Sequence, residues 1–237
     1  MAKRIKENGI LYEVIMLTDQ NGKIVTYVEV VGSKPKELDA DVKIPALISG
    51  IPVTKIGPAA FQNNFNIKSV EVSGYITHIA DDAFYNCSNM RSFRRLKHPL
   101  NMGGIAIIGP YAFSCCSTLQ SFVLEGDTEE SQHIKIIRRD AFFGCNKLCN
   151  FECYIDYVEP RAFHGCTSLQ NLSFGNECYI HPNALSDSGL EKVYFCEKIS
   201  DKTLEPVQNH LKKLDIFCTD SFNHLDWAYE GVNINVK

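Results

Sequence analysis

The sequence predicts an α/β repeat solenoid, in which each coil gives one strand to a parallel sheet on one face and a short helix or 3₁₀ turn to the other. Three observations carry this. A six-residue cassette recurs as Ile56-Gly57-Pro58-Ala59-Ala60-Phe61, Ile79-Ala80-Asp81-Asp82-Ala83-Phe84, Ile108-Gly109-Pro110-Tyr111-Ala112-Phe113, Ile137-Arg138-Arg139-Asp140-Ala141-Phe142 and Val158-Glu159-Pro160-Arg161-Ala162-Phe163. Degenerate copies follow at 180–185 and 199–204, and the spacings between anchors are 23, 29, 29, 21, 22 and 19 residues. Periods of this size mark small units that stack because none can bury a core alone. Finally, each cassette is followed by an alternating apolar pair such as Val70 and Val72, the mark of a half-buried strand.

At the N-terminus, residues 10–16 and 24–31 read as two strands around Asp19-Gln20-Asn21-Gly22, whose Asn-Gly pair is a strong hairpin signal. This hairpin is expected to cap the first coil over residues 1–43. Residues 42–53, with Pro45 and Pro52, lead into the repeats, which are assigned to 44–210.

Within a coil, Phe84, Cys87 and Met90 stand three apart, as do Phe61, Asn64, Ile67 and Phe113, Cys116, Leu119. The sets Phe142, Cys145, Leu148 and Phe163, Cys166, Leu169 follow the same rule. Steps of three put these side chains on one face of a short α or 3₁₀ turn. Pro58, Pro110, Pro160 and Pro182, or Asp81, fall where a helix would start. A second apolar pair, such as Ile76 and Ile79, forms a brief extended stretch into the next cassette.

The two 29-residue spacings imply insertions, one between Leu96 and Ala106 and one between Glu125 and Lys135. Insertions in a solenoid loop out while the core continues. The first is preceded by Arg91, Arg94, Arg95, Lys97 and His98; the second carries Glu125, Asp127, Glu129 and Glu130. Intramolecular pairing between them is expected, with a partner-binding edge as the alternative. Arg95 takes the phase of Val72 and Leu124, so a local shift of the coil is expected to turn it outward. Otherwise it is part-buried and needs an acidic partner. At 211–237, Leu211, Leu214 and Ile216 suggest a truncated unit. Residues 221–229 suggest a short helix with Phe222, Leu225 and Trp227 as cap contacts, and Val232, Ile234 and Val236 a last strand.

Formal charge is -4, which gives no support for a nucleic-acid partner. No apolar run reaches the length of a membrane span. The basic start Lys3-Arg4 lacks a following apolar segment and cleavage site. The sequence as given therefore predicts a cytoplasmic protein, or an extracellular or surface one if a leader has been removed. Of ten cysteines, Cys87, Cys116, Cys145 and Cys166 sit three residues after the cassette Phe. A thiol tied to repeat phase reads as a small buried residue rather than a disulfide partner or metal ligand.

The pattern I-G-x-x-A-F-x-x-C-x-x-L followed by a strand resembles the BspA-like, or Treponema pallidum type, leucine-rich repeats. Ile108, Gly109, Ala112, Phe113, Cys116 and Leu119 match each position, while Arg138 and Glu159 replace the glycine in the next two units. The resemblance covers about 44–204. It implies a right-handed leucine-rich-repeat coil, no catalytic residues and no cofactor. Members of this family are often found at cell surfaces, and some bind matrix proteins or host cells.

If Val70, Val72 and their equivalents point inward, the residues between them face solvent: Glu71, Arg94, Val123, Glu152, Ser173 and Tyr194. Ser69, Ser92, Ser121, Asn150, Asn171 and Lys192 flank that row. Such rows line the usual binding face of a repeat solenoid. The expected function is non-catalytic protein–protein interaction through this face or the inserted loops. A cell-surface adhesin is the second reading and a cryptic enzyme or metal protein the third. The seven histidines form no HxxxH or HExxH pattern, and no GxSxG elbow or GxGxxG loop occurs.

Overall fold

The computed structural model describes residues 4–98, 103–127, 130–195, 214–218 and 232–236. In chain order the strands are β1 Arg4–Glu7, β2 Ile10–Thr18, β3 Ile24–Ser33, β4 Asp41–Ile44, β5 Leu47–Ile48 and β6 Ile51–Ile56. They continue as β7 Ser69–Val72, β8 His78–Ile79, β9 Ser92–Arg95, β10 Ile105–Ile108, β11 Ser121–Leu124 and β12 His133–Ile137. The last are β13 Asn150–Glu152, β14 Tyr154–Val158, β15 Asn171–Ile180, β16 Lys192–Phe195, β17 Leu214–Cys218 and β18 Val232–Val236.

These strands build a β-solenoid with two sheets, where sequence alone suggested one. The larger, 13-stranded sheet runs β1-β2-β3-β6-β8-β10-β12-β14-β15-β16-β17-β18, with β5 on β6. The smaller, five-stranded sheet runs β13-β11-β9-β7-β4. A typical coil thus contributes one strand after the turns and another leading into the next cassette. Its apolar pair at a spacing of three, such as Ile76 and Ile79, is fully buried. Ile76 lies in the loop before β8 and Ile79 in the strand, and both reach the core. β2 and β3 are antiparallel, with Tyr12 opposite Val30, and β3 joins the coils by pairing parallel to β6. The Asp19 carboxylate accepts from the Asn21 and Lys23 amides at 2.8 and 2.9 Å, closing the turn.

The expected helical turns do not form. Among the described residues the one 3₁₀ segment is Glu130–Gln132, in the second insertion. Each cassette is instead a pair of consecutive β-turns. The Gly57 carbonyl accepts from the Ala60 amide at 3.3 Å, and Phe61 from Asn64 at 3.1 Å. Ala59 and Asn63, at the third position of each turn, have φ of 51° and 56°. That is a type II signature, with Pro58 pre-set at the second position. Asp82 and Asn86, then Tyr111 and Cys115, repeat it with φ between 55° and 62°. A helix needs negative φ throughout, so two such residues per coil forbid it. The turns also bond across coils, as in Phe84 N–H to the Ala112 carbonyl at 2.7 Å.

The core is a set of ladders. Phe61, Phe84, Phe113, Phe142 and Phe163 stack with ring centroids 5.0 to 5.2 Å apart. Phe93, Phe122 and Phe151 form a second stack at 4.9 and 5.1 Å, set edge-on against the first. Edge-to-face and offset-stacked rings add to the gain from burial. The repeat-phase cysteines form a third ladder. Cys87, Cys116, Cys145 and Cys166 are fully buried, and their thiols donate to the carbonyls of Phe61, Phe84, Phe113 and Phe142 at 3.1 to 3.2 Å. Asn64 takes this place in the first coil, and its buried Nδ2 has no hydrogen-bond partner.

Burial pushes all four thiols above their usual range, Cys87 to about 12. The thiolate is the reactive form. Ellman's reagent at pH 8 is therefore expected to modify exposed Cys149 in the folded protein and to leave these four intact until denaturant is added. Peptide mass mapping reads the result; early labelling of Cys145 would contradict the ladder.

Arg95 departs from the expected local shift. It lies opposite Val72 and Leu124 in unbroken register, points inward and is fully buried. Its guanidinium donates to backbone carbonyls: Nε to Ile76 at 2.8 Å, Nη1 to Ser131 at 3.3 Å, and Nη2 to Gly103 at 3.0 Å and to Gly74. Burial lowers its pKa to about 10. The expected C-terminal strand is present as β18, and Leu214 and Ile216 lie in β17. The degenerate cassette at 199–204, Leu211 and the helix at 221–229 lie outside the described residues.

Candidate interaction surface

The alternation that buries Val70, Val72, Phe93 and Phe122 turns the intervening side chains out of the smaller sheet. Glu71, Arg94, Val123 and Glu152 occupy successive strands in direct register, with Lys43 at the near end. Ser173 and Tyr194 pair with each other, but Ser173 lies opposite Tyr154 rather than Glu152. The predicted row is therefore two segments. The cause is the short 21-residue spacing between the anchors Ile137 and Val158. It leaves only Cys153, at a bend, between β13 and β14. The flanking residues Ser69, Ser92, Ser121 and Asn150 are also in register.

The basic and acidic segments pair as expected. Arg94 Nε donates to Glu125 at 2.7 Å and Nη1 lies 3.9 Å from Glu71; Lys97 meets Asp127. These side chains are well exposed, so each such pair contributes at most about 1 kcal/mol. Their effect is to hold the second insertion over the sheet surface.

A second outward line lies on the larger sheet. It runs Glu29, Lys55, His78, Ile107, Ile136, Tyr157 and Tyr179 in continuous register. Each residue immediately precedes a cassette anchor or its equivalent, a position that sequence reasoning passed over. Glu29 and Lys55 form an ion pair at 3.2 Å. Burial, then the nearby Lys55 charge, lowers the His78 pKa. Further along the line becomes apolar, and exposed Tyr157 and Tyr179 stack at 4.8 Å.

No catalytic geometry assembles from the histidines described. Ser186 Oγ and Asp187 Oδ2 lie 2.9 and 3.5 Å from His164, but both approach Nδ1. A nucleophile triad needs serine and carboxylate on opposite ring nitrogens. Among the described residues no group of three His, Cys, Asp or Glu gathers to hold a metal, and no helix is long and apolar enough to cross a membrane.

The family model described as the BspA type leucine rich repeat region matches in six copies, over residues 43–132 and 95–210. This chain belongs to that family. No curated protein matches it. Among solved structures, a leucine-rich repeat protein from Bacteroides ovatus is 18% identical, covering 93% of this chain and 65% of that one, with a TM-score of 0.44. The T. pallidum leucine-rich repeat protein TpLRR is 16% identical over 88% of this chain and 85% of its own, at 0.45. A leucine-rich repeat protein from Eubacterium ventriosum is 17% identical over 84% and 51%, at 0.49. This BspA-type chain thus spans just under two thirds of the Bacteroides protein and about half of the Eubacterium one. Its cassette residues are the buried ones, so family membership accounts for the ladders and leaves the outward lines to specify this member.

Proposed function

We propose that this chain is a non-catalytic protein-interaction module whose partner meets the outward lines of its sheets. The observation that carries the reading is the regular display of side chains on a backbone held by three ladders. Exposed tyrosines, a residue type enriched at interfaces, stand on the larger-sheet line. Glu71, Arg94, Val123 and Glu152 on the smaller sheet, and Ser173 and Tyr194 on the larger one, are the contacts assigned. Arg94 is already engaged by Glu125 and Glu71, so Glu152 is the sharper charged probe, with Tyr194 as the aromatic one.

Affinity capture from an extract of the source cell tests this, using the intact chain and its Glu152→Lys and Tyr194→Ala variants. At least one retained protein is expected to fall about tenfold with a variant whose melting temperature is unchanged, the size of effect at an interface anchor. Equal retention of every protein by all three chains would remove these residues from the interface.

A further inference from the structure

A cavity of about 710 Å³ opens at the corner between the two sheets, where the first insertion leaves the coil. That volume lies within the range of small-molecule sites. Its floor is a line of residues across four coils: Thr54, Thr77, Ala106 and Lys135. Backbone bonds fix the line, with the Thr77 amide on Thr54 at 2.9 Å and the Ala106 amide on Thr77 at 2.7 Å. The walls come from Tyr75 in the preceding coil and from His98, Gly103 and His133 around the insertions. Tyr75 and buried His98 meet edge to face at 4.4 Å.

The backbone of these walls is held with unusual care. Arg95 donates to the carbonyls of Gly74 and Gly103, one on each side. A Cβ at Gly74 would strike the His98 backbone, and one at Gly104 the His133 carbonyl oxygen. Both glycines therefore permit contacts that bring the walls together. A buried arginine at a phase that otherwise carries Val72 or Leu124 is a poor choice for core stability alone. It makes sense as a clamp that fixes the carbonyls of Gly74 and Gly103.

The lining chemistry is one-sided. Lys135 supplies an exposed ammonium, and no carboxylate lines the cavity among the described residues. Asp156 is next to Lys135 in register, outside the lining; its carboxylate lies 3.4 Å from His133 Nδ1 and also feels the Lys135 charge. The other ring nitrogen of His133, Nε2, is buried without a hydrogen-bond partner. Behind the wall sits the Arg95 charge. Tyr75, Ile105 and Ala106 give the remaining surface an apolar character.

We propose that this cavity binds a small organic carboxylate with an aromatic or apolar body, the carboxylate facing Lys135 and the body lying against Tyr75 and Ile105. A carboxylate suits the one ammonium of Lys135, whereas a phosphate dianion calls for more donors. The site is separate from the protein-binding lines and stands whether or not a partner protein is found.

The test titrates the full chain with 4-fluorobenzoate and, as the neutral isostere, 4-fluorobenzamide, followed by fluorine NMR. Saturable binding is expected, with the benzoate about fivefold the tighter, as one partly exposed charge pair allows. Lys135→Gln, at an exposed position that the fold does not need, should remove that preference and leave the benzamide unchanged. Ala106→Trp, which fills the floor, should abolish binding of both. No saturable benzoate binding at millimolar concentration, equal affinity for the two probes, or a preference that survives Lys135→Gln would overturn the proposal. So would binding that persists in folded Ala106→Trp protein.

Discussion

Phe113→Ala is expected to lower the free energy of unfolding by about 3–5 kcal/mol, the range for emptying a large buried aromatic site. Phe113 stacks on Phe84 and Phe142 at 5.1 Å each and takes Phe93 and Phe122 edge-on at 5.3 and 5.4 Å. Removing it breaks the first aromatic ladder and takes away its edge contacts to the second. It also leaves a void that hydrogen-bonded turns on either side prevent from closing. Phe61 offers the control. It starts the stack, touches Phe84 at 5.0 Å and has no earlier cassette phenylalanine behind it. Its replacement is expected to cost at least about 1.5 kcal/mol less, since it lacks three of those ring pairs and each contributes about 0.5–1.5 kcal/mol beyond burial. Urea titration of both variants measures the difference. In a solenoid, stability divides into units and interfaces between neighbours. A break at Phe113 should therefore also broaden the transition, as coils on either side begin to melt separately. Equal losses at Phe61 and Phe113 would mean that the rings do not couple coil to coil.

The buried half of the fold was legible because the chain states it repeatedly. Each cassette samples the same environment, so Ile, Ala, Phe, Cys and Leu recur wherever a side chain must fill the same space. The turn type was not legible from the spacing of three, since a 3₁₀ turn and two successive type II turns place Phe84, Cys87 and Met90 alike. The discriminating signal was present in another column: Asn63, Asn86, Gly144 and Gly165 share one phase, and all four have positive φ. These residue types tolerate the left-handed region, and proline two residues before Ala112 or Ala162 fits the second position of a turn. The second sheet escaped for a related reason. Strand recognition relies on a period of two, whereas Ile105 and Ile108 both reach the core at a spacing of three.

The candidate surface was legible to the extent that alternation is. Inward Val70 and Val72 place Glu71 outward by geometry alone. The break before Ser173 depends on coil length, which changes which residue meets which across the strands. The cavity lay further from reach, because it arises from an insertion, two glycines and an arginine that belong to different coils. Their sequence separation hides their contact. Arg95 stood out by phase, but a hydrophobic pattern cannot say whether an arginine at a core phase moves outward or finds acceptors inside.

Arg95→Ala should destabilise the protein by on the order of 4 kcal/mol, because it strips donors from several buried carbonyls at once. Each unpaired buried polar group costs about 1–3 kcal/mol. The carbonyls of buried Gly74, Ile76 and Ser131 are involved, together with that of exposed Gly103. The opposing effect is desolvation of the guanidinium, which an apolar replacement relieves, and replacing buried charge with a hydrophobe is often neutral. Arg95→Leu decides between them. Leucine restores the residue found at this phase in Leu124 and fills most of the space. The backbone acceptors nevertheless remain buried whatever the side chain, so a deficit of about 2–3 kcal/mol is expected to persist. Arg95→Lys should fare little better, since a compact ammonium with three donors cannot span carbonyls from three stretches of chain. Chemical denaturation ranks the three variants. A leucine variant as stable as the parent would show that the guanidinium bonds add nothing net to the fold. Loss of the clamp should also loosen Gly74 and Gly103, so the leucine variant is expected to bind 4-fluorobenzoate more weakly even where it remains folded. Coil stability and the shape of the cavity then depend on the same side chain, placed where a repeat built only for packing would carry valine or leucine.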